Sequence, residues 1–196
     1  INSREAILEA LVTPEARSIA LTTEIGPPMV TDEKVDILVM VQGDEPMDTP
    51  EMINESLAPM MQDETVQVVN LMGLIDSQGE FEDPNNVKVV VGSDNNAIYF
   101  SREPIPSRKK SMEDVPMLKQ ICVIPFRRDY LLEFNKTPET PLERIESVDM
   151  LRVIESGGSV RMVMTEFPSV GVDTLQDLEA VRELMRDDPL MRKYLS

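Results

Sequence analysis

Val35-Asp36-Ile37-Leu38-Val39-Met40-Val41 runs straight into Gln42-Gly43-Asp44-Glu45-Pro46, and this junction decides the fold. The first seven residues are almost continuously apolar and β-branched, the pattern of a strand buried on both faces. The next five are a turn with two adjacent carboxylates and no basic residue. In open α/β sheets, ligands bind at the carboxyl ends of the strands. Adjacent carboxylates there suit a hard divalent cation such as Mg²⁺, which takes oxygen ligands and shares them with substrate phosphates. They also suit a turn, because Asp beside Gly and Pro shapes loops. The residue types alone leave both readings open.

Outward from this junction, strands and helices alternate. Ser3 is a candidate cap for a helix carrying Ile7, Leu8 and Leu11, and Ile19-Ala20-Leu21 reads as a short strand. Thr49-Pro50-Glu51 opens a helix with a cap, a first-position proline and an acid in the first turn. Met52, Ile53, Leu57, Met60 and Met61 form its apolar side. Val66–Met72 and Val87–Val91 read as strands, the latter paired with Ala97–Ser101 in an antiparallel hairpin across the turn at residues 92–96. Residues 102–110 are proline-rich, basic and irregular. Ile121–Phe126 is another strand, whose Pro125 requires an edge or a bulge. Thr140-Pro141-Leu142-Glu143 is a capping box opening a helix with Leu142, Ile145, Leu151 and Ile154 inward, ending at Gly157-Gly158. Val160–Met164 is a strand. A last helix from Thr174 turns Leu178, Val181, Leu184 and Met185 inward. The reading is one α/β domain over residues 1–196, with a hairpin and proline-rich excursion at 86–115.

Composition narrows the chemistry. The 196 residues hold no histidine and one cysteine, Cys122, which rules out an internal disulfide, an N/S zinc site and His-activated nucleophiles. A lone cysteine fits a reducing cytoplasm, and Cys122, in an apolar strand, is expected to be inert. The 36 acidic against 19 basic residues give a net charge of -17, a field that repels nucleic acid and anionic membranes. No apolar stretch has membrane-spanning length. The 14 methionines fall at apolar helix positions and read as core. Catalysis is left to carboxylates, a metal, Lys/Arg and backbone groups. A second candidate carboxylate, Asp173, stands in Gly171-Val172-Asp173-Thr174 at another strand-to-helix junction. Alone it is a favourable charge at a helix start; with Asp44 it makes a pair that doubly wound folds bring together. Arg102, at a strand end, has the fork geometry to hold a carboxylate.

Five segments in order carry a family resemblance: residues 41–46, 84–90, 99–106 (Tyr-Phe-Ser-Arg-Glu-Pro-Ile-Pro), 141–147 (Pro-Leu-Glu-Arg-Ile-Glu-Ser) and 171–178 (Gly-Val-Asp-Thr-Leu-Gln-Asp-Leu). Together they resemble the acylneuraminate and Kdo cytidylyltransferases, which activate acidic sugars, above all the CMP-Kdo synthetases (3-deoxy-manno-octulosonate cytidylyltransferases) among them. The resemblance implies a three-layer, mostly parallel Rossmann-like nucleotidyltransferase sheet, with the excursion used for dimerisation. It implies that an acid sugar's anomeric hydroxyl attacks the α-phosphorus of CTP. Asp44 and Asp173 would hold Mg²⁺, Gln42 and Arg102 would contact the sugar, and Glu143 and Glu146 would lie near its hydroxyls. A homodimer is expected.

Three departures qualify the resemblance. The family's basic, glycine-containing CTP phosphate loop has no match in residues 1–34, and the chain contains no Gly-Lys pair. The family's Ser/Asp/Arg-rich nucleotide-contacting stretch has no match between Gly26 and Lys34. The expectation is that these segments are lost from a chain that starts at Ile1 rather than methionine. Gln120 stands where CMP-Kdo synthetases carry a histidine, and Ile124 where they carry a tyrosine. Glutamine hydrogen-bonds but carries no charge, so the acceptor, expected to be an acid sugar such as Kdo or a relative, is open to differing from Kdo itself. A non-catalytic module that kept the fold and lost CTP binding is the alternative. A nucleotide-sugar glycosyltransferase is weaker, because no Asp-X-Asp triplet follows the central strand.

Overall fold

A computed structural model describes residues 19–22, 35–110, 115–172 and 174–186. The helix expected after Ser3 lies outside the described residues. The chain runs β1 (Ile19–Thr22), β2 (Ile37–Val41), α1 (Pro50–Gln62), β3 (Val69–Leu74), α2 (Gln78–Glu82), β4 (Lys88–Val91) and β5 (Ala97–Ser101). It continues through β6 (Leu118–Ile121), β7 (Val123–Arg127), α3 (Arg128–Lys136), α4 (Pro141–Glu146), α5 (Met150–Glu155), β8 (Arg161–Met164) and α6 (Leu175–Arg186).

Strand β2 shows why its sequence has no polar face. Ile37 and Val39 pack against Met52, Ile53, Leu57 and Met60 of α1, while Leu38 and Met40 join a second core with Phe126, Leu131, Phe134 and Leu151. Helices therefore cover both faces, the three-layer arrangement of α/β proteins. Each fully buried aliphatic side chain contributes about 2 kcal/mol. Thr49 caps α1 by accepting the Met52 N–H at 3.3 Å. Met61 lies outside the expected apolar stripe and is 47% exposed, because the 100° step per residue turns it past the sheet.

The sheet is mixed rather than mostly parallel. β1 and β2 are parallel, as are β3 and β8, whereas β2–β7, β3–β6, β4–β5 and β4–β6 are antiparallel. The reason lies in the connections. Parallel neighbours need a crossover; the β4–β5 hairpin reverses the chain instead. β6, on the other side of β4 from β5, keeps that reversed direction, so β6 and β7 enter between the parallel strands in reverse. A Val68–Phe126 bridge joins β7 to the approach of β3. β6 pairs with β3 as far as Leu71–Ile121, so Val69 and Asn70 face Cys122 through Pro125 across a bulge. Asn70 fills it, donating to the carbonyls of Ile121 (2.7 Å) and Leu71 (2.9 Å). The Arg127 N–H bonds Gln67 on this side. The Pro125 nitrogen, two residues earlier, faces the same unpaired stretch, where a missing donor costs nothing.

The single helix expected after Thr140 is two helices, α4 and α5. Ser147 breaks it with φ 53°, a left-handed conformation that costs about 1–2 kcal/mol, and Ile145 is left 76% exposed. Half of the capping box forms. Glu143 accepts the Thr140 N–H at 3.0 Å, while the Thr140 hydroxyl has no partner and Glu155 accepts the Leu142 N–H at 3.0 Å. In α6, Val181 is buried, but Leu184 is 50% exposed.

Candidate active site

The carboxyl end of β2, the β6–β7 junction, residues 83–87, Arg102, residues 147–149 and residues 169–171 enclose a cavity of about 600 Å³. Among the described residues, six carboxylates line it (Asp44, Glu45, Glu80, Asp83, Asp149 and Asp177) against two cations, Arg102 and Lys119.

Asp44 is exposed in the turn after β2, and among the described residues no side chain hydrogen-bonds its carboxylate. Its carbonyl accepts the Val172 N–H at 2.9 Å, which ties the 169–172 segment to the strand-end turn. Glu45 reinforces the tie by accepting the Ser169 hydroxyl at 2.7 Å. Asp173 itself lies outside the described residues, but its neighbour Val172 is fixed on Asp44. Lys119 closes the same wall, donating to Glu80 Oε1 at 2.6 Å and to the Ser169 carbonyl at 3.0 Å.

Asp48 was not singled out from sequence. Both of its carboxylate oxygens are buried without a hydrogen bond. Burial first, then the charges of Glu45 and Asp44, push its pKa up to about 8. Its signal was present as a third acid four residues after Asp44, masked by the neighbouring Thr49 cap. Asp149 is raised too, chiefly by burial and then by Glu143. Burial, followed by Glu45, Asp44 and Asp48, pushes the Cys122 thiol far up, so it stays protonated.

Gln42 lines the cavity from the exposed end of β2. Gln120 lines it with its Nε2 fixed on Asn70 Oδ1 at 2.6 Å, a pairing across fifty residues. Arg102 lines it as well, but three of its N–H groups brace the wall. They donate to the carbonyls of Glu146 (2.7 Å), Pro84 (2.8 Å) and Ser147 (3.2 Å). The left-handed turn at Ser147 falls between the Glu146 and Ser147 carbonyls that Arg102 binds. Lys88, fully buried, holds residues 83–86 from behind by donating to the carbonyls of Asp83 (2.8 Å) and Asn86 (2.6 Å).

Glu143 and Glu146 are not on the cavity wall. Glu146 accepts from Tyr99 Oη (3.2 Å), Ser101 Oγ (2.9 Å) and the Arg102 N–H (2.9 Å), locking the end of β5 onto α4. Glu143 forms a two-point ion pair with Arg152, one arm being Arg152 Nε to Oε2 at 2.8 Å. Burial raises Glu143, but the Arg152 and Thr140 hydrogen bonds outweigh it and hold the carboxyl below its usual range. Of the expected site residues, Gln42, Asp44, Arg102 and Gln120 thus share one cavity, and the two glutamates support its frame.

Among the described residues, no group of three or more Asp, Glu, Cys or His is arranged to hold a metal ion by itself. A cation that takes one or two protein carboxylates and the rest of its oxygens from substrate suits this donor set.

A family model described as Cytidylyltransferase matches residues 24–165. A 3-deoxy-manno-octulosonate cytidylyltransferase from Solibacter usitatus is 40% identical over 154 residues, covering 79% of this chain and 61% of its own length. One from Geobacter metallireducens is 40% identical over 158 residues, covering 76% and 62%. This chain therefore spans about three fifths of the length of those relatives. A solved CMP:2-keto-3-deoxy-manno-octonic acid synthetase complexed with CTP superposes with a TM-score of 0.71 at 37% identity, over 78% of this chain and 62% of that one.

Proposed function

This chain belongs to the cytidylyltransferase family, and from that premise we propose that it transfers CMP from CTP to the anomeric hydroxyl of an acid sugar, Kdo or a close relative. The relatives' names and the CTP held by the solved homologue support the substrate classes. The observation that carries the reading is the Val172 N–H to Asp44 carbonyl hydrogen bond at 2.9 Å, which ties the 169–172 segment to the strand-end turn beside a 600 Å³ cavity.

In the proposed reaction the sugar's anomeric oxygen forms a bond to the α-phosphorus. The bond from that phosphorus to the bridging oxygen breaks, pyrophosphate leaves, and the hydroxyl proton passes to solvent. Such a transfer needs positioning and charge neutralisation more than covalent help, which a chain without histidine can supply. Asp44 and Asp173 are the residues for Mg²⁺, and the Cys122 thiol does not compete because it stays protonated. When bound, the cation would offset charge on the triphosphate and orient the attacking oxygen. Gln42 and Gln120 offer neutral hydrogen bonds to sugar hydroxyls. Arg102 keeps N–H groups beyond the three that brace the wall, and these are the match for the sugar's carboxylate. The acidic groups that line the cavity among the described residues disfavour any anion that arrives without a cation.

The proposal includes a single nucleotidyltransferase domain over residues 1–196, a homodimer built on the 86–115 excursion, and a cytoplasmic location. Exposed Ile98 on the outer strand β5 supports the excursion as a contact surface. Among the described residues, no helix is long and apolar enough to cross a membrane. Pyrophosphate release from CTP, Mg²⁺ and Kdo by the full-length protein tests the reaction. Absence of release with Kdo, related ulosonates and sialic acids would overturn it.

A further inference from the structure

A second recess of about 310 Å³ opens at the other end of the sheet. The larger cavity takes residues that follow β2 and β8, whereas this one takes residues that lead into β3 and β8. Those two strands run parallel with Val69 opposite Arg161, so the two cavities lie at opposite ends of the same strands. Its walls include Gln67, Asn96 of the hairpin turn, Tyr130 of α3, and the segment from Gly158 to Arg161.

Polar capacity in this recess is left over. Arg161 donates Nε–H to Asn96 Oδ1 at 3.0 Å, and among the described residues its two terminal nitrogens make no hydrogen bond or ion pair. Other half-buried arginines use theirs: Arg102 on Pro84 and Ser147, Arg127 on Met60 and Asp63, and Arg152 on Glu143. The carboxylates whose charge reaches Arg161, Asp63 and Asp94, are engaged elsewhere. Asp63 accepts the N–H and hydroxyl of Thr65 at 2.8 and 2.7 Å, and Asp94 accepts the N–H and Nδ2 of Asn96 at 3.1 and 2.8 Å. Among the described residues the Tyr130 hydroxyl also makes no hydrogen bond. It occupies the space beside Gly158, where an added Cβ would lie 2.5 Å from it, so glycine is what admits the hydroxyl to this wall. Burial, then Glu133, pushes the Tyr130 pKa up, which keeps it a donor. Ser159 adds a third unengaged hydroxyl or guanidinium donor.

A guanidinium fork with two neutral hydroxyl donors is a match for a planar or tetrahedral oxyanion. We propose that this recess is a second small-molecule site, which seats a phosphate or carboxylate group on Arg161 with hydrogen bonds from Tyr130 and Ser159. The inference does not rest on cytidylyl transfer, because none of its residues borders the larger cavity.

The test is a heteronuclear NMR titration of the full chain with inorganic phosphate and, separately, acetate, at constant ionic strength in chloride buffer. Saturable shifts are expected at the amides of residues 157–161 with at least one of the two anions. The stronger of the two identifies the group. Binding should weaken about tenfold or more in R161A, as expected for loss of a charge-assisted contact. It should weaken less in Y130F, with R161K intermediate because an ammonium keeps the charge but not the fork. The spectra themselves report whether each variant is folded. Y130F keeps the outcome readable if R161A is not. No saturable shift at these amides, shifts confined to the larger cavity, or equal binding by wild type and the variants would overturn the proposal. Turnover is read separately, so failure of the transfer reaction leaves this site standing.

Discussion

Asp48→Asn should make the protein more stable, by an amount that grows with pH. In the native state both Asp48 oxygens are buried without partners, and the carboxyl titrates at about 8 rather than at 3.8. Below 3.8 the folded and unfolded chains are both protonated there, and the group contributes no pH dependence. Between 3.8 and about 8 the unfolded chain ionises while the native one keeps its proton, so stability falls as pH rises through that window. At about 1.4 kcal/mol per unit, the interval from 3.8 to neutrality sets an upper limit near 4 kcal/mol. Asparagine has nearly the same shape, cannot ionise, and leaves much the same unsatisfied polar atoms as the neutral acid. A gain of about 2–4 kcal/mol at pH 7 is expected, roughly 5–15 °C in Tm for a chain of this size. Urea titrations of both proteins at pH 4.5, 7 and 8.5 would show the gap opening with pH. A gap that does not change with pH, or a variant less stable than wild type at pH 8.5, would refute the reasoning. A buried carboxylate kept at such cost beside Asp44 is the kind of sacrifice that functional sites make.

Removing the partner of buried Glu143 with Arg152→Met should cost about 3–5 kcal/mol in a urea titration. Because Glu143 is held below its usual range, the stability that this pair contributes is present above the unfolded carboxylate pKa and is lost as pH falls through the folded one. The wild-type advantage should therefore shrink in acid, and a constant difference would show that the pair's charge is not the cause. Arg102→Ala should lower stability by about 2–3 kcal/mol through loss of three bonds to carbonyls, and should raise KM for the acid sugar. An unchanged KM would confine Arg102 to bracing the wall. Cys122 should resist labelling by a thiol reagent in the native protein and react at once in urea; fast native labelling would contradict its protonated state.

Much of the architecture was legible because β2 is buried on both faces and Thr49-Pro50-Glu51 is an unambiguous start. The hairpin was equally clear from its 92–96 turn. The direction of β6 and β7 was not, since it depends on which side of β4 the chain returns to after the hairpin, and their bulge is filled by Asn70, distant in sequence. The break at Ser147 was hidden because nothing local requires it; it serves Arg102, forty-five residues away. For the site, the strand-end acids stood out through their turn. Glu143 and Glu146 drew attention only through the family resemblance, yet their partners, Arg152 and the end of β5, make them part of the frame. Asp48 became visible only when burial showed that its oxygens have no partner.

The central claim is that the Asp44 turn serves transfer from CTP to an acid sugar. Pyrophosphate release by the full-length protein, with CTP, Kdo and Mg²⁺, compared between wild type and Asp44→Asn, tests it most directly. The account predicts Mg²⁺-dependent release by wild type and a loss of about a hundredfold or more in the variant, the order seen when one group stabilising transition-state charge is removed. No release by wild type, or undiminished release by Asp44→Asn, would contradict it.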